Sequence, residues 1–219
     1  MKLKEIVRES RESFKGDMAG VPVVGLEHIV PEEILFSEYE IDCDKTFSKA
    51  FHKGQVLFGR RRAYQKKAAI AQVDGVCSGD IMVLEVISGK MEPTLLPFII
   101  QNDKFFDYAI QHSEGGLSPR VKWSAIADYE FSLPSLSEQK LLADKLWAAY
   151  RVKESYRRLI SVTDDMVKAK FVEMFGKEQC KKLGSLAKQW RKGQNFRKDE
   201  LVENGQRECI HYGQLYKYN

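Results

Sequence analysis

Cysteine is scarce in this 219-residue chain, and Cys43, Cys77, Cys180 and Cys209 stand far apart. No C-x-x-C pair occurs, which excludes the usual structural zinc spacings and a redox-active dithiol. Isolated thiols are what a reducing, cytoplasmic setting leads one to expect. Histidine is as thin: His28, His52, His112 and His211 share no ligand spacing, so no metal site is expected. No apolar run approaches the ~18 residues of a membrane span. Met1-Lys2-Leu3-Lys4-Glu5 has no apolar stretch behind it, so it does not read as a secretory leader. Catalytic signatures are missing too, with no nucleophile elbow and no dinucleotide fingerprint. Gly54 and Gly59 have phosphate-loop spacing, but Arg60-Arg61 stand where Lys and a magnesium-binding hydroxyl are required. Glu138-Gln139-Lys140 has the look of half a nuclease motif, yet it lies in the first turn of a helix, where capping explains it better. These absences favour a recognition module over an enzyme.

Hydrophobic residues make up 43% and charged residues 30%, enough apolar mass for a packed core. With 35 basic and 31 acidic side chains, the net charge of +4 is too small to identify a nucleic-acid partner by itself. Position has to decide.

Up to Pro134 the chain reads as short mixed elements. Gly20–Leu26, Val56–Phe58 and Ile81–Ile87 are apolar runs bounded by turn residues and read as strands. Leu95–Ile100 continuing into Phe105–Ile110 reads as helical, and Tyr129–Pro134 as a closing strand. The irregular mixture predicts an α+β fold with a mixed sheet. Ser135-Leu136-Ser137-Glu138 then has the form of a capping box: the Ser135 oxygen can accept from the Glu138 amide while the Glu138 carboxylate reaches back. No glycine or proline follows until Gly176, a natural stop. A stripe of Leu142, Leu146, Ala149, Val152, Tyr156, Leu159, Ile160, Met166 and Val167 runs along this helix, at steps suited to pairing with another helix. Roughly 40 residues at ~1.5 Å each exceed what a compact domain needs, so a protruding, coiled-coil-like element is expected. After Gly176, Lys182–Ala187 repeats the pattern of Lys2–Val7, and Ile210–Leu215 that of Pro22–Glu27. The expected organisation is a recognition domain over 1–134, a spacer helix over 135–176 and the opening of a second, truncated recognition domain over 177–219.

The segment most informative about chemistry is Gly54–Lys67. It places Arg60, Arg61, Arg62, Lys66 and Lys67 within eight positions with no acid, and sets Tyr64 and Gln65 between them. Clustered cations behind a strand suit phosphate binding, and Arg or Gln can also read base edges. Arg120 and Lys122, beside Gly115-Gly116, form a second, weaker basic loop.

Five fragments together resemble the specificity subunit of type I restriction–modification systems. They are Gly25-Leu26-Glu27-His28-Ile29, Val56–Tyr64, Ser78-Gly79-Asp80-Ile81, Leu117-Ser118-Pro119-Arg120 and Leu133–Gln139. The resemblance implies a non-catalytic subunit whose recognition domain binds one half of a bipartite target in double-stranded DNA. It implies spacer helices that fix the gap between half-sites and dock modification subunits. S-adenosylmethionine would act in those subunits, and ATP with magnesium in the restriction subunits, leaving no cofactor in this chain. Two copies pairing their long helices antiparallel would restore a two-domain arrangement with a palindromic, interrupted target. The alternative is a homodimeric scaffold that binds nucleic acid or protein outside any restriction system.

Overall fold

The structure, a computed structural model, describes residues 1–36, 38–42 and 44–176. The proposed repeat after Gly176, together with Cys43, Cys180, Cys209 and His211, lies outside the described residues. Met1–Ser161 form one compact unit, and a second begins at Val162.

Among the described residues, seven strands build two small sheets. The first has the order β1 (Val7–Ser10), β7 (Ile81–Val86), β4 (Val56–Gly59), β5 (Ala68–Ile70), with every neighbouring pair antiparallel. The second has the order β2 (Val23–Val24), β6 (Gly75–Cys77), β3 (Lys49–Phe51); β2 runs parallel to β6 and β3 antiparallel to it. Helices α1 (Leu96–Ile100), α2 (Asp103–Gln111) and α3 (Trp123–Ile126) follow, and then the 40-residue α4 (Leu136–Phe175). The fold is α+β, with one all-antiparallel sheet, one mixed sheet and a long helix.

Side chains alternate across a strand, and that alternation sorts the central strands between two cores. Val56 and Phe58 of β4, with Met82 and Leu84 of β7, face the core shared with α1, α2, α3 and the start of α4. Leu57, Ile81 and Val83 face the opposite way, into a core with Val24, Phe51 and Cys77 of the second sheet. Cover on both faces is the reason β4 and β7 read as unbroken apolar runs rather than alternating ones. Phe58 meets Phe105 and Phe106 at ring-centroid distances of 5.5 and 5.9 Å, which ties α2 to the strand that ends at the basic segment. Full burial of such a side chain stabilises by about 1.5–3 kcal/mol. Gly75 is required where β6 crosses close to the preceding chain, because a Cβ there would run into the Pro22 carbonyl and the Phe51 ring.

Two local expectations need correction. Tyr129–Pro134 forms no strand; it makes a single antiparallel bridge between Glu130 and Lys2. Tyr129, Phe131 and Leu133 do alternate onto the first core, but among the described residues the backbone edge they meet is the short start of the chain. There Leu3 N–H donates to Tyr129 O at 2.9 Å and Phe131 N–H to Met1 O at 3.1 Å. The capping box is half realised. The Glu138 carboxylate accepts from Ser135 N–H at 2.9 Å, but the Ser135 hydroxyl donates to that same carboxylate at 2.6 Å rather than accepting from the helix. These bonds hold the Glu138 carboxyl below its ordinary range.

The first turns of α4 dock on the domain through Gln139, Ala143 and Tyr150, all buried. Gln139 bonds at both ends of its amide: its Nε2 donates to Pro134 O at 2.9 Å and its Oε1 accepts from Glu92 N–H at 3.0 Å. Trp147 Nε1 donates to Thr94 O at 2.9 Å while its ring packs edge-on against Phe98. Glu33 closes the contact, accepting from Tyr150 Oη at 3.3 Å, Lys153 Nζ at 3.4 Å and Arg157. From Ser155 to Gly176 every residue is exposed.

Candidate nucleic-acid interface

The basic segment begins where β4 ends, and hydrogen bonds within the loop and to neighbouring segments fix its backbone. Gly59 N–H donates to Lys67 O at 2.8 Å, which closes the loop on itself. Arg60 N–H donates to Asp80 O at 2.9 Å and its carbonyl accepts from Val121 N–H at 2.9 Å. Arg62 N–H donates to Pro119 O at 2.8 Å, and Arg61 forms an antiparallel bridge with Arg120. The two basic loops that are about sixty positions apart in sequence are therefore stitched into one platform. Between them Ala63–Gln65 make a 3-10 turn with Ala63 buried and Tyr64 54% exposed. Arg62 and Lys66 bracket this turn in the left-handed region, at φ 54° and 51°. That conformation costs a non-glycine residue about 1–2 kcal/mol, a strain that the bonds to Pro119 and Lys67 maintain.

Asp80 organises the centre of the platform. Its two oxygens accept from Arg61 Nη1 at 3.2 Å and Arg120 Nε at 2.9 Å. Burial opposes ionisation of Asp80, but the hydrogen bonds from Arg120 and Arg61 outweigh it and hold the carboxyl below its ordinary range. Arg61 Nε also donates to Ser118 Oγ at 2.6 Å. Lys66 pairs with Asp103 at 2.5 Å, a contact that raises its pKa, and Lys122 pairs with Glu114 at 2.5 Å. Exposed pairs of this kind hold weakly and can be exchanged for a phosphate. Lys67 instead reaches back to Leu26 O at 2.6 Å, in the turn opened by Gly25. Arg60 and Arg62 differ from the rest: the Nε of each is buried and has no hydrogen-bond partner. A buried unmatched donor costs roughly 1–3 kcal/mol.

Arg60 also opens onto a cleft of about 430 Å³ lined with Arg11, Lys49 and Lys122, together with Glu9, Trp123 and Ser124. Sequence reasoning missed Arg11 and Lys49. Each is a lone cation with a nearby acid, and only the folding of β1 against β7 and β3 against β6 brings them beside Arg60. Tyr64 and Gln65 lie on the turn as expected, with Gln65 half-buried.

Among the stripe residues of α4, Leu146 is half-buried and packs on the first core. Leu142 is 42% exposed, Ala149 is exposed, and Val152, Tyr156, Leu159, Ile160, Met166 and Val167 are 55–65% exposed. The docking face of Gln139, Ala143 and Tyr150 is thus distinct from most of the stripe.

Glu27, His28 and Glu40 bring a possible ligand atom each within 4.8 Å of one another. Their geometry suits a different cation, the Lys45 ammonium, which lies 2.5 Å from Glu27 and 2.9 Å from Glu40. Its hydrogen bond depresses the Glu27 carboxyl. His28 Nδ1 is taken by Gly25 N–H at 2.9 Å.

Residues 2–159 match the model of the type I restriction modification DNA specificity domain. The chain belongs to this family. Specificity subunits of the family are typically non-catalytic. Among solved structures, the chain is similar to the HsdS subunit from Thermoanaerobacter tengcongensis, at 20% identity and a TM-score of 0.59, covering 84% of this chain and 50% of that one. It is also similar to the type I restriction-modification S subunit from M. genitalium, at 10% identity and a TM-score of 0.58, covering 82% and 46%. A third similar chain comes from work on complex assembly and conformational transition of the type I R-M system, at 18% identity and a TM-score of 0.59, covering 83% and 50%. At these identities the likeness is one of fold, and the chain spans about half the length of the structures it matches. No curated protein matches it. Four of the five fragments that carried the family resemblance meet at the platform: the Gly25 turn, the β4 exit, the Ser78-Gly79-Asp80 turn and Leu117–Arg120. No described helix is long and apolar enough to cross a membrane.

Proposed function

We propose that the chain binds one half of a bipartite target in double-stranded DNA, with residues 1–134 as the recognition domain and 135–176 as a spacer helix. Residues 177–219 open a second recognition domain in this reading. Arg60, Arg61, Arg62, Lys66, Lys67, Arg120 and Lys122 hold phosphates, and Tyr64 and Gln65 are placed to contact base edges. The observation that carries this reading is the joining of two basic loops into one platform whose Arg60 and Arg62 keep buried, unmatched donors. Beside a cleft lined by four cations and one acid, this platform fits a polyanion better than a neutral surface.

The exposed length of α4 serves two contacts in the same proposal. Its charged positions dock modification subunits, which restriction subunits then join. Its apolar stripe pairs antiparallel with a second copy, which places two recognition domains about a two-fold axis and predicts a palindromic, interrupted target. Methylation chemistry, with S-adenosylmethionine, belongs to the modification subunits and not to this chain.

The test is co-expression with candidate modification subunits, mass measurement of the purified assembly, and methylome sequencing of cells with and without this chain. A bipartite N6-methyladenine motif that appears only with the chain, in an assembly containing it, supports the proposal. Assembly without any change in methylation contradicts it and favours the scaffold reading. Charge reversals along the exposed face of residues 139–170 are expected to abolish co-purification of the modification subunit.

A further inference from the structure

Leu117 is 98% exposed, the most exposed large apolar side chain among the described residues. Single exposed leucines are ordinary on protein surfaces, so exposure alone assigns nothing. Its mounting is what sets it apart. Leu117 sits at the tip of a seven-residue hairpin whose ends, Glu114 and Arg120, exchange backbone hydrogen bonds of 2.9 and 2.8 Å. Gly115, at φ +107°, makes the turn that no other residue makes without strain. Ser118 is held by Arg61 at 2.6 Å, and Pro119 by Arg62 N–H at 2.8 Å. Arg120 is held by Asp80 at 2.9 Å. The three residues that follow the leucine are therefore each anchored to the arginine platform.

We infer that Leu117 is a wedge that enters the base stack of the bound duplex; this rests on the DNA reading above and names how that site deforms its target. Proteins that kink DNA insert an apolar side chain between base steps while cations hold the flanking phosphates. Arg61 and Arg120 stand at the base of the hairpin for that second task. Tyr64, 54% exposed on the adjoining turn, offers a flat apolar face to a neighbouring sugar or base. Unstacking a step costs a few kcal/mol, so the wedge must be ordered before it meets DNA. The anchored hairpin supplies that order, removing a cost that a mobile loop would bear on binding. Kink position then depends on how readily a step unstacks, so Leu117 contributes sequence preference without a hydrogen bond to any base.

The experiment selects duplexes from a randomised pool with the full wild-type chain and measures their bending by gel mobility of circularly permuted fragments. Wild type is expected to bend the selected duplex by about 20–90°. Leu117→Ala should keep the wild-type melting temperature, bind about two- to tenfold more weakly and lose at least half of the bend, while Leu117→Met restores it. A straight wild-type complex, or an equal bend with Leu117→Ala, overturns the wedge and leaves the DNA reading standing. A chain that selects no duplex overturns both. Unchanged bending combined with lost co-purification of a modification subunit places Leu117 in a protein contact and also overturns the wedge.

Discussion

The docking face of α4 and the basic platform are built from similar materials and finished differently. On the docking face every buried polar group finds its match: Gln139 uses both ends of its amide, Trp147 its indole N–H, and Glu33 collects three donors. On the platform, Arg60 and Arg62 keep buried Nε atoms without partners, two non-glycine residues sit in the left-handed region, and a leucine stands bare at a hairpin tip. Native interiors leave few buried polar groups unmatched, and strain persists where the surroundings enforce it. The contrast teaches that the helix contact satisfies its buried polar groups within this chain, whereas the platform leaves two of its buried donors unmatched.

The comparison can be broken first at the strand beneath the platform. Phe58→Ala removes a fully buried ring between β4 and α2 and should cost about 3–5 kcal/mol in urea unfolding, with the platform lost alongside the fold. A smaller loss, with DNA binding intact, would show that the platform does not depend on β4. Next comes the helix contact. Glu33→Ala leaves the Tyr150 hydroxyl and the Lys153 and Arg157 cations without their shared acceptor, and should cost about 1–2 kcal/mol. Faster hydrogen exchange is expected over residues 147–157, without change over 60–67. Parallel changes in both segments would mean that the two regions are one cooperative network.

The smallest effect is in pH. The carboxyls of Asp80, Glu33 and Glu138 are all held below their ordinary range. For Glu33, as for Asp80, burial works against ionisation, and its cationic partners, Arg157 first, overcome it. In the interval between the depressed and the ordinary value the unfolded chain binds more protons, so stability rises with pH there. Their contribution is complete above the ordinary carboxylate range and fades as pH falls through the depressed values. Asp80→Asn should flatten that acid limb slightly in pH-dependent melting, and an unchanged limb would remove Asp80 as a contributor.

Much of this was legible from residue order. The helix was visible in Ser135–Glu138 and the glycine-free stretch that follows, and β4 and β7 were visible because both of their faces are covered. The three-residue strands β3, β5 and β6 are too short to display a period. β1, with Arg8, Glu9 and Ser10, is polar because it lies on a sheet edge. Tyr129–Pro134 had strand alternation but lacked a ladder to join, a fact set by tertiary structure. At the site, charge density exposed Arg60–Lys67 and, more weakly, Arg120 and Lys122 beside Gly115-Gly116. The convergence of these loops on Asp80, and the approach of Arg11 and Lys49 to Arg60, exist only once the two sheets have formed. The assignment of Leu146 to the domain rather than to the free stripe likewise follows from docking, since periodicity alone gives both faces the same spacing.

The central claim is that the platform is the phosphate-binding surface. Arg60→Ala combined with Arg62→Ala, measured by DNA binding across a salt titration, tests it most directly. The account predicts a melting temperature no lower than wild type, weaker binding, and a logarithmic salt slope shallower by about 1.8 as two phosphate contacts are lost. An unchanged slope in a folded variant would contradict it.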